Sequence, residues 1–196
     1  MNLRLIKKKI KSIINVKKIT KAMQLVSAVK MKKSQQLATE GLVYRQILED
    51  IIYRVIPLVS NSLFPWQKGL ENSKDQKLII VISTNKGLCG AFNFNLFKFL
   101  IKNYDFNNQV FITVGKKAGL FISKMRGRII ASFNTTPFVD SVSAIFETAL
   151  NQFFQGEVDE IQLVYNHFVS TFKQETIAKV LLPISLEKLN IDQKKE

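Results

Sequence analysis

The first proline in this chain is Pro57, and Gly41 is the only glycine before it. The opening segment is therefore almost free of helix breakers, and it is rich in Lys, Leu, Ile, Met, Gln and Ala, which helices accept well. Residues 1–56 are predicted to form one long helix, about 80 Å at ~1.5 Å per residue. Leu3, Ile6, Ile10 and Ile13 follow a helical spacing, and a second series runs Val16, Ile19, Met23 and Val26. The apolar stripe changes register between the two series, as in a helix that meets different neighbours along its length. Lys17 and Thr20 interrupt the first series, so the pattern is not a heptad zipper. Such a rod cannot bury its apolar side chains alone and needs a partner.

Charge sharpens that requirement. The net charge is +14, yet residues 1–39 hold eleven Lys or Arg and no Asp or Glu. Residues 40–196 hold 18 basic and 15 acidic residues, a net of only +3. The basic character belongs to the helix, whose partner must be an acidic protein surface, a nucleic acid or an anionic membrane. Arg4 is the only arginine among the eleven, unlike an organelle presequence, and Lys7, Lys8, Lys9 and Lys11 break up any signal-peptide core. No apolar run approaches a membrane span, and Cys89 is the only cysteine. These features suggest a reducing, cytoplasmic setting with no membrane insertion.

After a turn-rich linker, 57–76, the periodicity changes. Residues 77–83, KLIIVIS, read as a strand buried on both faces. The loop TNKGLCGAFN leads to a helix over 96–102. Residues 109–114 read as a second strand, 117–125 as a helix and 128–133 as a weaker strand. A helix over 138–154 and a closing strand pair, 160–168 and 175–182, complete the domain. Strand–helix alternation predicts an α/β fold with a parallel or mixed sheet covered by helices over 77–185, followed by a polar tail, 186–196.

Catalytic chemistry finds little support. His167 is the only histidine, lies in a predicted strand and has no metal-ligand spacing around it. Cys89 lacks a second cysteine or a nearby histidine. In Lys86-Gly87-Leu88-Cys89-Gly90 the glycines are three apart with no Gly-Lys-Ser/Thr, so the phosphate-loop pattern fails. The dinucleotide pattern fails too, since only two of three glycines are present and Asp105 lies in a loop-like run. Gly87 and Gly90 are expected to permit a tight turn and close helix–sheet packing, and no cofactor or metal is expected. As a nucleic-acid arm, the first helix could meet phosphates but has no aromatic before Tyr44 to stack on bases. A membrane-surface role fits poorly, because Ala22, Ser27 and Ala28 replace bulky apolar residues and suit close helix–helix contact.

Two segments carry a family resemblance. Residues 6–36, IKKKIKSIINVKKITKAMQLVSAVKMKKSQQ, closely resemble the N-terminal helix of the gamma subunit of F-type ATP synthase. Residues 82–98, ISTNKGLCGAFNFNLFK, resemble that family's second signature, which contains Gly87, Leu88, Cys89 and Gly90. The resemblance implies a noncatalytic rotor subunit with a Rossmann-like domain that binds no nucleotide. It implies a shaft helix inside the ring of alpha and beta subunits, and a foot on the epsilon subunit and the c-ring of Fo. The assembly would couple proton flow to ATP synthesis at the beta subunits, peripheral on the cytoplasmic face of a bacterial plasma membrane. Lys17, Lys18, Lys21, Lys30, Lys32 and Lys33 become candidates to meet acidic beta-subunit loops. Met23, with Ala22 and Val26, becomes a candidate to pack on the collar or the partner helix.

The family continues into a long C-terminal helix, for which 183–196 is too short. A truncated form is the expectation, ahead of a fragment or of a short subunit completed by another chain. A basic-arm nucleic-acid-binding protein is the alternative reading.

Overall fold

The structure is a computed structural model, and it describes residues 3–55, 75–135, 138–170 and 173–184. The chain divides into two units, 1–58 and 59–196. Most of the linker, from 56 to 74, and the predicted tail lie outside the described residues.

The first unit is one helix, α1 (Leu3–Val55), unbroken through Gly41. Its weak helix formers are accommodated locally. The Thr20 hydroxyl bonds the carbonyls of Val16 and Lys17, each at 3.0 Å, and Thr39 bonds that of Gln35 at 2.9 Å. Gln36 donates to Glu40 at 3.0 Å, and Arg45 pairs with Glu49 at 3.4 Å, both one helical turn apart. Large apolar side chains nevertheless stay exposed along its whole length, from Leu3 to Val55.

The second unit is a five-stranded sheet in the order β3-β2-β1-β4-β5. The strands are β1 (Lys77–Ile82), β2 (Val110–Val114), β3 (Arg128–Phe133), β4 (Glu160–Phe168) and β5 (Gln174–Leu182). The helices are α2 (Phe92–Asn103), α3 (Lys116–Lys124) and α4 (Phe138–Phe154). Neighbours among β3, β2, β1 and β4 run parallel, and β5 returns antiparallel on β4. This is a Rossmann-like mixed sheet.

Alternation along the strands feeds two cores. Leu78, Ile80, Val110, Ile112 and Val114 pack with Ile145, Ala149 and Phe153 of α4. Ile79, Val81, Phe111 and Val164 pack on the other side with Leu96 and Leu100 of α2 and Ala118 and Ile122 of α3. Both central strands are thus lined on two faces, which is why their sequences read as continuous apolar runs. Helix α4 spans the residues its apolar spacing predicts and ends at Phe154, closed by Gly156, whose φ of 73° lets Glu157 N–H reach the Gln152 carbonyl at 3.0 Å. Helix α2 begins four residues before the expected start, at Phe92 instead of 96. Its first turn is held by Asn93, whose side chain bonds back to the loop before it.

Candidate functional site

Two features carry the candidate residues. The first is α1, where Lys17, Lys18, Lys21, Lys30, Lys32, Lys33 and Met23 are all exposed. At about 100° per residue, Lys17, Lys18, Lys21 and Lys32 fall in one sector of the helix. Ala22, Met23, Val26, Lys30 and Lys33 fall on the other side. The structure therefore separates the candidates into a mainly cationic face and a mixed face of small, apolar and cationic side chains. Leu25, 61% exposed, lies on the cationic side and Val29, 70% exposed, on the boundary between the two, so the apolar surface extends beyond the mixed face. A helix of that kind is built for neighbours on more than one side.

The second feature is the end of β1 and the loop after it. The Ser83 hydroxyl oxygen accepts the Ala118 N–H at 2.8 Å, and Ser83 N–H donates to the Val114 carbonyl at 2.8 Å. Thr84 N–H donates to Asn93 Oδ1 at 3.3 Å, and Asn93 Nδ2 donates to Thr84 Oγ1 at 2.7 Å and to Cys89 Sγ at 3.2 Å. Across the sheet, Asn166 Nδ2 of β4 donates to the Phe92 carbonyl at 2.9 Å, and Asn166 Oδ1 accepts from Thr176 at 2.6 Å.

In a doubly wound sheet, a ligand would lie beyond the carboxyl ends of β1 and β4. Here, among the described residues, that crevice is spanned by the protein's own amides, Asn93 and Asn166. Neither residue stood out in the sequence. Asn93 stands at the end of the loop-like stretch TNKGLCGAFN and Asn166 beside His167, so neither carried a signal of its own.

The glycines play different parts from those expected. Gly90 adopts a φ of 59° and so serves the turn, together with Leu88 at 61°. Neither Gly87 nor Gly90 is closely packed: a Cβ on Gly87 would meet nothing nearer than Lys117 at 4.0 Å, and one on Gly90 nothing within 4 Å. The close helix–sheet approach falls instead at Gly115, which has a φ of 99° and no room for a side chain beside Ser83. Leu88 projects fully into solvent, and Cys89 is exposed. His167 lies at the exposed end of β4, across from Glu175.

Helix and domain together define a Rossmann-like protein carrying a long N-terminal helix whose surface asks for partners. A family model described as ATP synthase matches residues 2–196. The chain is 40% identical over 190 residues to the "ATP synthase gamma chain" of Clostridium novyi, covering 93% of this chain and 65% of that one. It is 32% identical over 198 residues to the protein of the same name from Methylacidiphilum infernorum, covering 97% of this chain and 67% of the relative. A solved rotor of the Euglena gracilis mitochondrial ATP synthase is similar over 84% of this chain and 62% of its own, with 19% identity and a TM-score of 0.45. The chain belongs to the ATP synthase gamma-chain family. It spans about two thirds of the length of the curated relatives it matches.

Proposed function

We propose that this chain is a noncatalytic central-stalk (rotor) subunit of an F-type ATP synthase, coupling proton flow through the membrane sector to ATP synthesis at the beta subunits. The observation that carries the reading is α1 itself. It is 53 residues long, lysine-rich, exposed at every candidate position and apolar on more than one side. Such a helix suits the inside of a protein collar, with a helical partner on one side and subunit loops on the others.

Lys17, Lys18, Lys21 and Lys32 meet acidic loops of the beta subunits from one side of the shaft, with Lys30 and Lys33 on the other. Exposed pairs of this kind contribute only about 0.2–1 kcal/mol each. Many weak, similar contacts allow the shaft to pass from one subunit to the next without being trapped at any of them. Met23, with Ala22 and Val26, packs where the helix meets its neighbour closely. The domain around Gly87, Leu88, Cys89 and Gly90 serves as the foot, toward the epsilon subunit and the c-ring.

Membrane association is through the complex, on the cytoplasmic face of a bacterial plasma membrane. Among the described residues, no helix is long and apolar enough to cross a membrane. The reading is tested by mixing the purified chain with alpha and beta subunits from the same cell and following comigration on gel filtration. A stable complex that resists nuclease is expected. Migration of the chain apart from alpha and beta, or only with nuclease-sensitive material, would count against it.

A further inference from the structure

The two faces of the sheet are covered unequally. On one face α2 lies over β4 and β5, and α3 over β2 and β3. On the other, among the described residues, α4 is the only helix, and it packs mainly on β3 and β4. Five strands spaced about 4.8 Å apart span roughly 19 Å between the outer axes. One helix with its side chains is only about 10 Å across. Helix α4 therefore leaves the β5 side of its face open.

A cleft of about 240 Å³ lies there. Phe146, Ala149 and Leu150 of α4 form one wall, and Leu181 and Leu182 of β5, with Ile184 just past it, form the other. Every lining residue is apolar. Phe146 is 49% exposed, although Ile145 and Ala149 on the same helix are buried. Ile184 is also the last described residue, so the segment that follows, 185–196, leaves from the cleft itself. That segment reads SLEKLNIDQKKE. Its far end is wholly polar, whereas Leu186, Leu189 and Ile191 fall within its first seven positions.

We propose that the cleft between α4 and β5 is the seat of the chain's own segment 185–196, with Leu186 and Leu189 filling it beside Phe146. Reach allows this. Leu189 stands five residues beyond Ile184, up to about 17 Å of extended chain, while Phe146 and Leu150 are only about 6 Å apart along α4. Tethering favours it. A side chain joined so closely is present at an effective concentration on the order of millimolar, well above that of a second copy in dilute solution. Chemistry selects the two leucines, since an apolar lining rewards their burial and rejects charged side chains. Glu187, Lys188 and the polar end of the segment stay in water. The segment thus completes the layer that α4 begins, and it secures β5 at the edge of the sheet.

Hydroxyl-radical footprinting of the purified chain tests this against the variant carrying Leu186→Asp and Leu189→Asp. Phe146 is expected to oxidise at least about two-fold more slowly in the parent, as a half-exposed ring does once it is packed over. Lys188→Gln, in the same segment, is expected to keep the parent rate. Phe111, fully buried between β2 and the α2–α3 layer, reports whether each variant is folded and should stay protected in all three. A second measurement needs no variant: NOEs between the methyl groups of Leu186 or Leu189 and the Phe146 ring are expected in the parent chain.

Equal Phe146 rates in the parent and the double variant overturn the proposal. Protection of Phe146 that appears only as the chain concentration is raised assigns the cleft to a second copy and also overturns it. A Phe146 rate raised as much by Lys188→Gln overturns the choice of the two leucines. Should Phe111 lose its protection in the double variant, the NOEs of the parent decide, and their absence overturns the proposal. Both measurements use the chain alone, so their outcome is independent of the stalk reading.

Discussion

A Cβ placed on Gly115 would lie 2.4 Å from the carbonyl oxygen of Ser83. The contact is backbone to backbone, so no side-chain rotation relieves it, and the φ of 99° is one that other residues rarely adopt. This is where the first turn of α3 comes down on the end of β1, and it fixes the geometry beneath the Gly87–Gly90 loop. Gly115→Ala is expected to destabilise the domain by about 3–5 kcal/mol, combining backbone strain with overpacking. Gly87→Ala, with open space around it, is expected to stay within about 1 kcal/mol of the parent. Urea denaturation of the two variants checks the contrast, and equal losses would refute it.

Asn166 ties β4 to the start of α2, donating at 2.9 Å to the carbonyl of Phe92 and accepting from Thr176. Removing its amide leaves both partners short of a bond in a partly buried place. Asn166→Ala is expected to cost about 1–3 kcal/mol. Hydrogen exchange should show the loss concentrated at the N-terminal turn of α2 and the adjoining loop.

Tyr104 gives the domain an alkaline limit. Its hydroxyl donates to Gln162 Oε1, and Gln162 in turn donates to Glu160. Burial first, and the negative charge of Glu160 second, push the phenol up to about 12. Folding therefore favours the protonated phenol over the unfolded chain, in which it titrates near its ordinary value of about 10. The stabilisation is complete below about pH 10 and is lost as pH rises toward 12. Denaturation midpoints should fall across that window for the parent chain and much less for Tyr104→Phe.

On α1, the sector holding Lys17, Lys18, Lys21 and Lys32 should act collectively. Replacing any one with Gln is expected to weaken association with alpha and beta subunits by no more than about 1 kcal/mol. Replacing all four should weaken it at least ten-fold and flatten its salt dependence, because the screened interaction is then largely removed. Isothermal titration at two salt concentrations separates these outcomes.

How much of this was legible in the sequence depended on the range of the interaction. Strands β1 and β2 stood out because burial on both faces leaves a continuous apolar run, and α4 because Ile145, Ala149 and Phe153 share one face. The sequence places Phe92 and Asn93 in the loop TNKGLCGAFN and starts α2 at 96, whereas the helix begins at Phe92. Asn93 stays in the helix by bonding Thr84, nine positions earlier. The bond between Tyr104 and Gln162 spans 58 positions and has no periodic signature. The crowding at Gly115 was equally hidden, since it comes from Ser83, 32 positions earlier and just past the end of β1. On α1 the lysines were visible, but their division into two faces required knowing that the helix is unbroken.

The most direct test of the account is hydrogen exchange along α1, in the chain alone and after association with alpha and beta subunits. Most of the stability of a helix in a protein comes from tertiary packing of its apolar face, which a collar would supply to α1. In the isolated chain, amides 10–40 are expected to exchange close to unfolded rates while β1 and β2 stay protected. Association should then slow those α1 amides by at least about a hundred-fold, the scale of a few kcal/mol of added protection. Strong protection of residues 10–40 in the isolated monomer, or none gained with alpha and beta subunits present, would contradict the assignment of α1 as a shaft helix.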